Sequence, residues 1–452
     1  MKGGIHMLTR AAPAQGGTPV AASPTSAQAV SAGSLKPAPG VQASLEAPLG
    51  AVLRQVTYPI QKPLGTRSSP SLSGGGTLTL ELANAGLGLG VEMIVTASIV
   101  VSLAASTATG SKGGGIQANA RWPFSLLQNV AFQLNQQNNI VNASGWMLFQ
   151  DLLHSVMPGV DPRQQKSLAP TGTPVAGTWP VPTYASTITP SGGAASNFLP
   201  GASYYNTTTA AQDVTIAVTF PLFVPFVNNF VDFLGLVPSA AQDINLALPV
   251  TIPTPVGNSA VDPLQFLSGA DITGASSVSS MNAQIQSSEW FLNSPPSGME
   301  AAYAPETSYV VQRFEDRGTV IGSTGRNAAR YVAPQGANLL RMIAEILIGG
   351  VPDTSDVQAM RMTLSEFSDV WEWQLLPYLS AYYRLYGRVP DPGIFVWDGT
   401  YTAEVPNSGD TLGWIDAATV IKPTLSFDIS TNAVLGSQNN ALNVLRVQAV
   451  HV

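Results

Sequence analysis

Short apolar segments, separated by glycine, proline, asparagine and serine, recur along the chain from Val56 to its end. Within these segments apolar and polar residues alternate, or β-branched residues predominate, and both patterns are typical of β-strands. Many short strands separated by turns indicate an all-β sandwich of the jelly-roll class. The pattern predicts strands over residues 77–82, 91–103, 129–134, 214–220, 243–252, 309–314, 339–348, 393–397, 424–429 and 442–450.

A helical period is scarce and predicts one helix in each half of the chain. The first covers residues 143–156, with Trp146 and Leu153 on one side. The second covers residues 363–386, and Pro377 is expected to break or kink it. These helices are the exceptions in a chain of predicted strands.

The most hydrophobic segment, residues 93–105, is too short to span a bilayer, which needs about 20 residues. A buried pair of strands is the preferred interpretation. The first fifteen residues include Lys2 and Arg10 but no apolar segment of signal-peptide length. The sequence therefore predicts neither a membrane anchor nor a secretion signal.

Two nine-residue segments resemble each other, and each precedes an alternating strand. They are 232–240 (DFLGLVPSA) and 410–418 (DTLGWIDAA), which share Asp, Leu, Gly and Ala. Upstream, each half also has an apolar strand, a polar loop and a helix, with the strand at 130–134 in the first half and at 343–348 in the second. This repetition predicts two tandem sandwiches of one type, and chance resemblance is the alternative.

The two halves differ in the spacing between the early strand and the repeated segment. Most of the excess in the first half comes from residues rich in Pro, Gly, Ser and Thr, which predict a long surface loop because such an insertion is uncommon inside a core. The first 55 residues are rich in Ala, Pro and Ser and predict a flexible arm. The predicted division is an arm at 1–55, a first jelly roll at 56–255 with its surface loop at 158–213, a connecting segment at 256–300, and a second jelly roll at 301–452.

Composition excludes several functions. Charged residues are 10% of the chain, against about 25% in typical domains, and the net charge of −7 argues against specific nucleic-acid binding. The absence of cysteine excludes disulfides and thiolate chemistry. Of three histidines, only His154 lies away from the chain ends, where it is predicted to cap backbone carbonyls of the first helix. We therefore predict no metal site and no cofactor.

No arrangement of side chains predicts catalysis. The glycine-rich segments 86–90 and 110–115 lack the order of residues that phosphate loops need. Glu366, Asp369 and Glu372 recur every three residues on the predicted second helix, but no His, nucleophilic Lys or metal ligand lies beside them. A solvated or interfacial helix face is the preferred interpretation over an acid–base pair.

The densest aromatic cluster lies on the same predicted helix. Such clusters supply core packing and subunit contacts more often than stacking platforms for sugars or bases. We predict that its members contact neighbouring subunits: Trp371, Trp373, Tyr378, Tyr382, Tyr383 and Tyr386.

The duplicated unit and the paired Asp-x-Leu-Gly segments resemble the double jelly-roll major capsid proteins of tailless icosahedral phages with an internal membrane (tectivirus-like). Residues 132–146, FQLNQQNNIVNASGW, carry the resemblance best, and it spans roughly 56–452. The resemblance implies two jelly rolls standing side by side in the shell and three copies forming a pseudo-hexagonal capsomer. It also implies that 158–213 forms an outer tower and that 1–55 runs beneath the shell. The length of this arm departs from the family and leaves open whether the arm is ordered, cleaved or a contact peculiar to this virus.

The expected function is therefore self-assembly into a virion shell, without catalysis, after synthesis in the host cytoplasm. The expected partners are further copies of the chain as a homotrimer, other capsid or vertex proteins, and an internal membrane or its proteins reached by the arm. A neutral surface rich in Ser, Thr, Asn and Gln loses water at low cost when subunits pack. The alternatives are a receptor-binding spike or adhesin and a jelly-roll enzyme that acts on glycans.

Overall fold

The computed structural model describes residues 66–69, 71–82, 87–107, 111–134, 138–154, 185–228, 235, 237–238, 246–257, 262–269, 271–292, 309–365, 368–399, 415–416, 422–435 and 440–451. The predicted arm at 1–55 lies outside them. The first part of the predicted surface loop, up to residue 184, also lies outside them.

Within the described ranges the strands, numbered in chain order, divide into two sets with one α-helix in each. The first set is β1 (Thr66–Ser68), β2 (Leu72–Ser73), β3 (Gly76–Glu81), β4 (Leu87–Leu103), β5 (Gly115–Ala118), β6 (Asn129–Leu134), β7 (Asn138–Ala143), α1 (Gly145–His154), β8 (Ala185–Pro190), β9 (Ser196–Asn197), β10 (Ser203–Tyr205), β11 (Gln212–Pro225), β12 (Val237–Pro238), β13 (Leu246–Ile252), β14 (Leu264–Leu267) and β15 (Ser276–Leu292). The second set is β16 (Tyr309–Val320), β17 (Gly325–Val332), β18 (Asn338–Ile348), β19 (Val351–Pro352), β20 (Val357–Ser365), β21 (Ser368–Gln374), α2 (Leu375–Tyr386), β22 (Ile394–Asp398), β23 (Ile415–Asp416), β24 (Thr424–Ile429) and β25 (Ala441–His451).

Both halves pair their strands in the same order. In the first half one sheet runs β1-β15-β4-β11, extended by β8 and β9, and the other runs β3-β13-β6-β7. In the second half the corresponding orders are β16-β25-β18-β22 and β17-β24-β20-β21. In chain order, β1, β3, β4, β6, β7, α1, β11, β13 and β15 match β16, β17, β18, β20, β21, α2, β22, β24 and β25. Each half is therefore a jelly roll, and the fold is a double jelly roll.

Two irregularities recur at matching places in β4 and β18. The pairing of β4 with β15 passes over Leu89, and the pairing of β18 with β25 passes over Leu340. The carbonyl of each bulged leucine accepts a 2.9 Å hydrogen bond from the first residue after the neighbouring strand, Phe226 after β11 and Gly399 after β22. Bulges alter the local twist and belong to a specific backbone path. Leu89 and Leu340 are therefore equivalent positions of a duplicated unit.

The repeated Asp-x-Leu-Gly segments also have equivalent places. Val237 in the first segment pairs with Gly88 of β4, and Ile415 in the second pairs with Leu339 of β18. Gly235, the glycine of the first segment, has φ +90°, and a Cβ there would lie 2.6 Å from Val311 Cγ2. Both the backbone conformation and the close approach of β16 require glycine.

All ten predicted strands and the first helix are confirmed, with ends within a few residues except where β11 and β16 extend further. Several details of the prediction are wrong. Residues 93–103 belong to one strand, β4, instead of a pair. Residues 276–292, placed in the predicted connecting segment, form β15, which pairs along almost the whole of β4. Residues 185–190 of the predicted surface loop pair with β11 as β8.

The second helix is shorter than predicted. Residues 363–374 belong mostly to the hairpin of β20 and β21, and α2 begins at Leu375. Pro377 is consequently the third helical residue, in the first turn, where its missing N–H costs no helical hydrogen bond. The hairpin β20–β21 corresponds to β6–β7, so the predicted match of 130–134 with 343–348 is also wrong. The strand at 343–348 is β18, the counterpart of β4.

The two jelly rolls share one sheet. β7 of the first jelly roll pairs in parallel with β16 of the second, with Val141 opposite Arg313. This joins the two four-stranded sheets and the short strands β19 and β23 into one sheet of ten strands. A third, small sheet of β10-β5-β14 gathers residues from three connections of the first jelly roll. Among the described residues, the helices are too short and too polar to pass through a lipid bilayer.

Candidate assembly surfaces

Helix α1 lies between the two jelly rolls, and all ten of its residues are buried. One side packs on its own jelly roll, where the ring of Phe149 stacks on Phe124 with 3.8 Å between centroids. The other side carries polar groups, among them Gln150, Asp151 and His154, that contact the second jelly roll. Helix α1 therefore connects the two jelly rolls, with an apolar side on the first and a polar side on the second.

A buried chain of ion pairs crosses this contact. The carboxylate of Asp151 accepts from Arg313 Nε on β16 at 2.6 Å and from Arg341 Nη1 on β18 at 2.6 Å. Arg341 Nε in turn donates to Asp398 Oδ2 on β22 at 2.9 Å. The side chains of all four residues are at most 3% exposed. Each charge has a partner of opposite sign, as burial requires.

The electrostatics follow from this geometry. Burial alone would raise the pKa of Asp151, but the nearby Arg313 and Arg341 outweigh burial and hold the pKa below its ordinary value. Burial alone would lower the pKa of Arg341, whereas Asp398 and Asp151 raise it. Asp151 and Arg341 are therefore both charged at neutral pH.

Neutral and ionic contacts extend the junction along the same face of β18. Glu345 Oε1 accepts from Trp146 Nε1 of α1 at 3.1 Å and pairs with Arg121 Nε of the first jelly roll at 2.7 Å. Its Oε2 accepts from Asn443 Nδ2 of β25 at 3.0 Å. At the other end of α1, Gln150 donates to the second jelly roll. These contacts fix the two jelly rolls relative to one another.

His154 ends α1 and contacts α2. Its Nδ1 lies 2.5 Å from the carbonyl oxygen of Gln150, which can only accept, so Nδ1 carries the proton. Nε2 then accepts from the hydroxyl of Tyr382 at 2.5 Å. Burial lowers the pKa of His154 to about 3, and the hydrogen bond to Gln150 only partly opposes this. The prediction that His154 satisfies a helical carbonyl is confirmed.

Three of the six aromatic residues predicted to contact other subunits lie inside the protomer. Tyr378, Tyr382 and Tyr386 are spaced four residues apart on the inward face of α2 and are buried, so their prediction as subunit contacts is wrong. Trp373 on β21 is half-buried, and Tyr383 is 59% exposed. The side chain of Trp371 lies outside the described part of the structure.

The side of α2 that faces away from the core is exposed and carries large apolar side chains together with Ser380 and Arg384. Leu376 is 76% exposed and Leu385 is 49% exposed. Tyr383 lies on the same face, two turns after Leu376, and Val389 follows the helix and is also exposed. Exposed apolar patches on a folded protein commonly mark contacts with other molecules.

A second exposed face is the outer side of the sheet β15-β4-β11. Neighbouring residues on this face lie opposite one another across the three strands. Ser98 of β4 lies between Asn282 of β15 and Ala217 of β11, and Thr96 of β4 lies beside Gln284 of β15. Along β4 and β11, charged side chains occur at the two ends of this face only, on Glu92 and Asp213. The inner side of β4 and β11 is apolar and forms the core with the opposite sheet. This face is a flat, nearly uncharged surface.

The acidic cluster predicted on one helix face is not there. Glu372 lies on strand β21 and pairs with Arg361 Nε at 3.0 Å, and Arg361 also pairs with Asp428. The hydrogen bond from Arg361 lowers the pKa of Glu372. The side chains of Glu366 and Asp369 lie outside the described residues. Within those residues no cluster of carboxylates and histidines could hold a metal ion.

Comparison with known proteins gives matches in structure alone. No protein-family model matches the sequence, and no curated protein matches it. The major capsid protein of Sulfolobus Turreted Icosahedral Virus superposes with a TM-score of 0.52 and 10% identity over 85% of this chain and 96% of that one. The PBCV-1 capsid gives 0.46 and 12% over 86% and 94%, and protein P2 of bacteriophage PM2 gives 0.38 and 11% over 86% and 98%. The chain thus has the double jelly-roll fold found in the major capsid protein of Sulfolobus Turreted Icosahedral Virus.

Proposed function

We propose that the chain is the major capsid protein of an icosahedral virus and assembles as trimeric, pseudo-hexagonal capsomers. The observation that carries this proposal is the pair of equivalent jelly rolls held as one rigid block by a shared sheet and by the buried ion pairs of Asp151. Three such blocks arranged around an axis present six similar units, which can tile a shell. Because the fold alone does not imply a function, the proposal also requires a surface that is suited to assembly.

The surface agrees with assembly. The exposed apolar residues of α2, such as Leu376 and Tyr383, are suited to be buried by a neighbour. The low charge of the chain reduces the cost of removing water from its flanks. We retain Trp373 and Tyr383 as proposed subunit-contact aromatics. The chain acts without catalysis in this proposal, and the ion pair of Glu372 with Arg361 gives no support to an enzyme that acts on glycans.

The finer parts of the proposal follow from the resemblance to tectivirus-like phages. They are location in the virion shell, association with other capsid or vertex proteins, and contact of the N-terminal arm with an internal membrane or its proteins. Within this proposal the residues around β9 and β10, whose turns are exposed, contribute to the outer tower.

The test is the mass and shape of the purified full-length chain. Analytical ultracentrifugation is expected to give three times the 47.1 kDa chain mass, and electron microscopy is expected to show six-lobed capsomers. Tyr383→Lys is expected to shift the protein to monomers without unfolding it. Val434→Lys, in an exposed turn after β24, is the matched control and should remain trimeric. A wild-type chain that stays monomeric at high concentration contradicts the proposal.

A further inference from the structure

We propose that α2 of one copy docks on the outer face of the sheet β1-β15-β4-β11 of a second copy. This contact would repeat, between molecules, the contact that α1 makes with the second jelly roll inside the chain. The inference rests on the proposed function and names the surfaces through which copies meet.

The duplication identifies the surface that should receive a helix. The outer face of the sheet β16-β25-β18-β22 receives α1 of the same chain, which buries Arg341 and Glu345 of β18. The equivalent outer face in the first jelly roll, on β4, is exposed at Thr96 and Ser98. Because Leu89 and Leu340 are equivalent, Gly90 corresponds to Arg341 and Ile94 to Glu345.

A comparison of the two helices identifies the side of α2 that should dock on this face. Counted from the first residue of each helix, the second residue is Trp146 in α1 and Leu376 in α2, and the seventh is Asp151 in α1 and Ala381 in α2. Trp146 and Asp151 are the residues through which α1 contacts β18. Leu376 is 76% exposed. The positions that dock in α1 are therefore positions left open to solvent or only half-buried in α2.

The two sets of positions are chemically compatible. The contact of Trp146 with Glu345 becomes Leu376 against Ile94, which are both apolar. At Gly90, the ring of Phe223 of the same chain fills the space into which the Arg341 side chain extends in the second jelly roll. The ion pair of Asp151 with Arg341 therefore becomes Ala381 against the Phe223 ring, and neither carries a charge. Both partners of each of these contacts thus differ together. The charges left at the contact are Arg384, exposed on the docking side of α2, and Glu92, which lies between Gly90 and Ile94 on β4. They have opposite signs, so docking can pair them and bury neither charge alone, which would be costly.

The edge strands of the sheets show a second equivalence between the contact inside the chain and the proposed contact between copies. Inside the chain, β7 pairs in parallel with β16. Their equivalents, β21 and β1, are both edge strands of their sheets among the described residues. The proposed docking therefore brings the β21 edge of one copy towards the β1 edge of the next. The receiving face, three long strands wide (β15, β4 and β11) and about 40 Å long from strand geometry, offers roughly 580 Å². The about 800 Å² that each partner contributes to a stable interface therefore requires the adjoining strand edges as well.

Disulfide cross-linking tests this contact, because the chain contains no cysteine. A Leu376→Cys, Ile94→Cys variant places one thiol on each surface. On oxidation it is expected to form covalent dimers and ring-closed trimers in more than tenfold excess over the control. The control variant carries Leu376→Cys with Thr79→Cys, where Thr79 is exposed on the other sheet of the first jelly roll.

The outcomes separate this inference from the proposed function. Trimers of the double-cysteine variant that cross-link no better than the control overturn the docking contact but leave capsid assembly standing. Wild-type chains that remain monomeric overturn both. As a second measurement, Ile94→Lys is expected to abolish trimers while circular dichroism and the unfolding midpoint stay near wild type. A trimer of unchanged mass with Ile94→Lys also overturns the contact.

Discussion

Replacing Asp151 with asparagine tests the buried junction directly. Asparagine has the same shape as aspartate but no charge. Its amide oxygen can still accept from one arginine, whereas its NH₂ group would face the guanidinium of the other, donor against donor. Arg313 and Arg341 would then share a buried site that lacks its central carboxylate.

The magnitude follows from what each arginine retains. Two opposite charges in contact attract by about 4 kcal/mol at an effective dielectric constant near 20, and Asp151 makes two such contacts. Arg341 keeps its pair with Asp398, and Arg313 keeps hydrogen bonds to the carbonyls of Pro225 and Val227. The expected loss in unfolding free energy is therefore about 3–5 kcal/mol, the range for removing one partner of a buried pair.

The assay is urea denaturation at pH 7, followed by tryptophan fluorescence, with every variant made in the Tyr383→Lys background that is expected to be monomeric. Asp271→Asn, at an exposed turn, is the matched control and should change the unfolding free energy by less than about 0.5 kcal/mol. If Asp151→Asn lowers the unfolding free energy by under 1 kcal/mol, the charge of Asp151 does not stabilise the junction and the reasoning is refuted.

Four further outcomes follow from the same structure. The quadruple variant Asp151→Leu, Arg313→Met, Arg341→Met, Asp398→Asn should recover most of the stability that Asp151→Asn loses, measured by the same denaturation, because it removes all charges of the buried chain of ion pairs together. The folded ring of His154 binds a proton only near pH 3 and the unfolded ring near its ordinary pKa of 6.5. The wild type should therefore lose up to about 1.4 kcal/mol of stability per pH unit as the pH falls through that window, and His154→Gln should remove this slope. Gly235→Ala should lower the unfolding free energy by about 1–3 kcal/mol, and Gly318→Ala, which has a similar φ but open space around it, should lower it less. Phe149→Ala should cost about 3–5 kcal/mol in thermal or chemical unfolding, since it removes a stacked core ring.

Most of the fold was predictable because period-two alternation survives in the strands that form the core. The strand β15 was missed for a physical reason. Its inward residues, such as Ala283 and Ile285, alternate with Asn282 and Gln284, but the strand is rich in serine and glutamine and poor in the β-branched and aromatic residues that are enriched in strands. The hairpin before α2 was missed because Trp371 and Trp373 were assigned to a helical period instead of a strand.

The junction was not predictable. Asp151 lies in a helix whose periodicity was correct, yet its partners Arg313 and Arg341 lie on strands far along the chain, and no local pattern connects them. By contrast, the inward face of α2 had a readable signal. Tyr378, Tyr382 and Tyr386 are spaced four residues apart, as the core side of a helix requires. That spacing separates them from Tyr383, which faces outward.

The duplicated contact uses different chemistry inside the chain and, in our proposal, between copies. Inside the chain the two jelly rolls are tethered, so their effective concentration is high and docking is assured. Buried charges such as Asp151 and Arg341 can then serve to select one arrangement, although desolvating them is expensive. Between copies there is no tether, and each desolvated charge would weaken an association that must already overcome the entropy of bringing molecules together. Apolar and small residues, Leu376 with Ile94 and Ala381 with the Phe223 ring over Gly90, are therefore expected to dominate such a contact. Its charges, Arg384 and Glu92, have opposite signs and can pair.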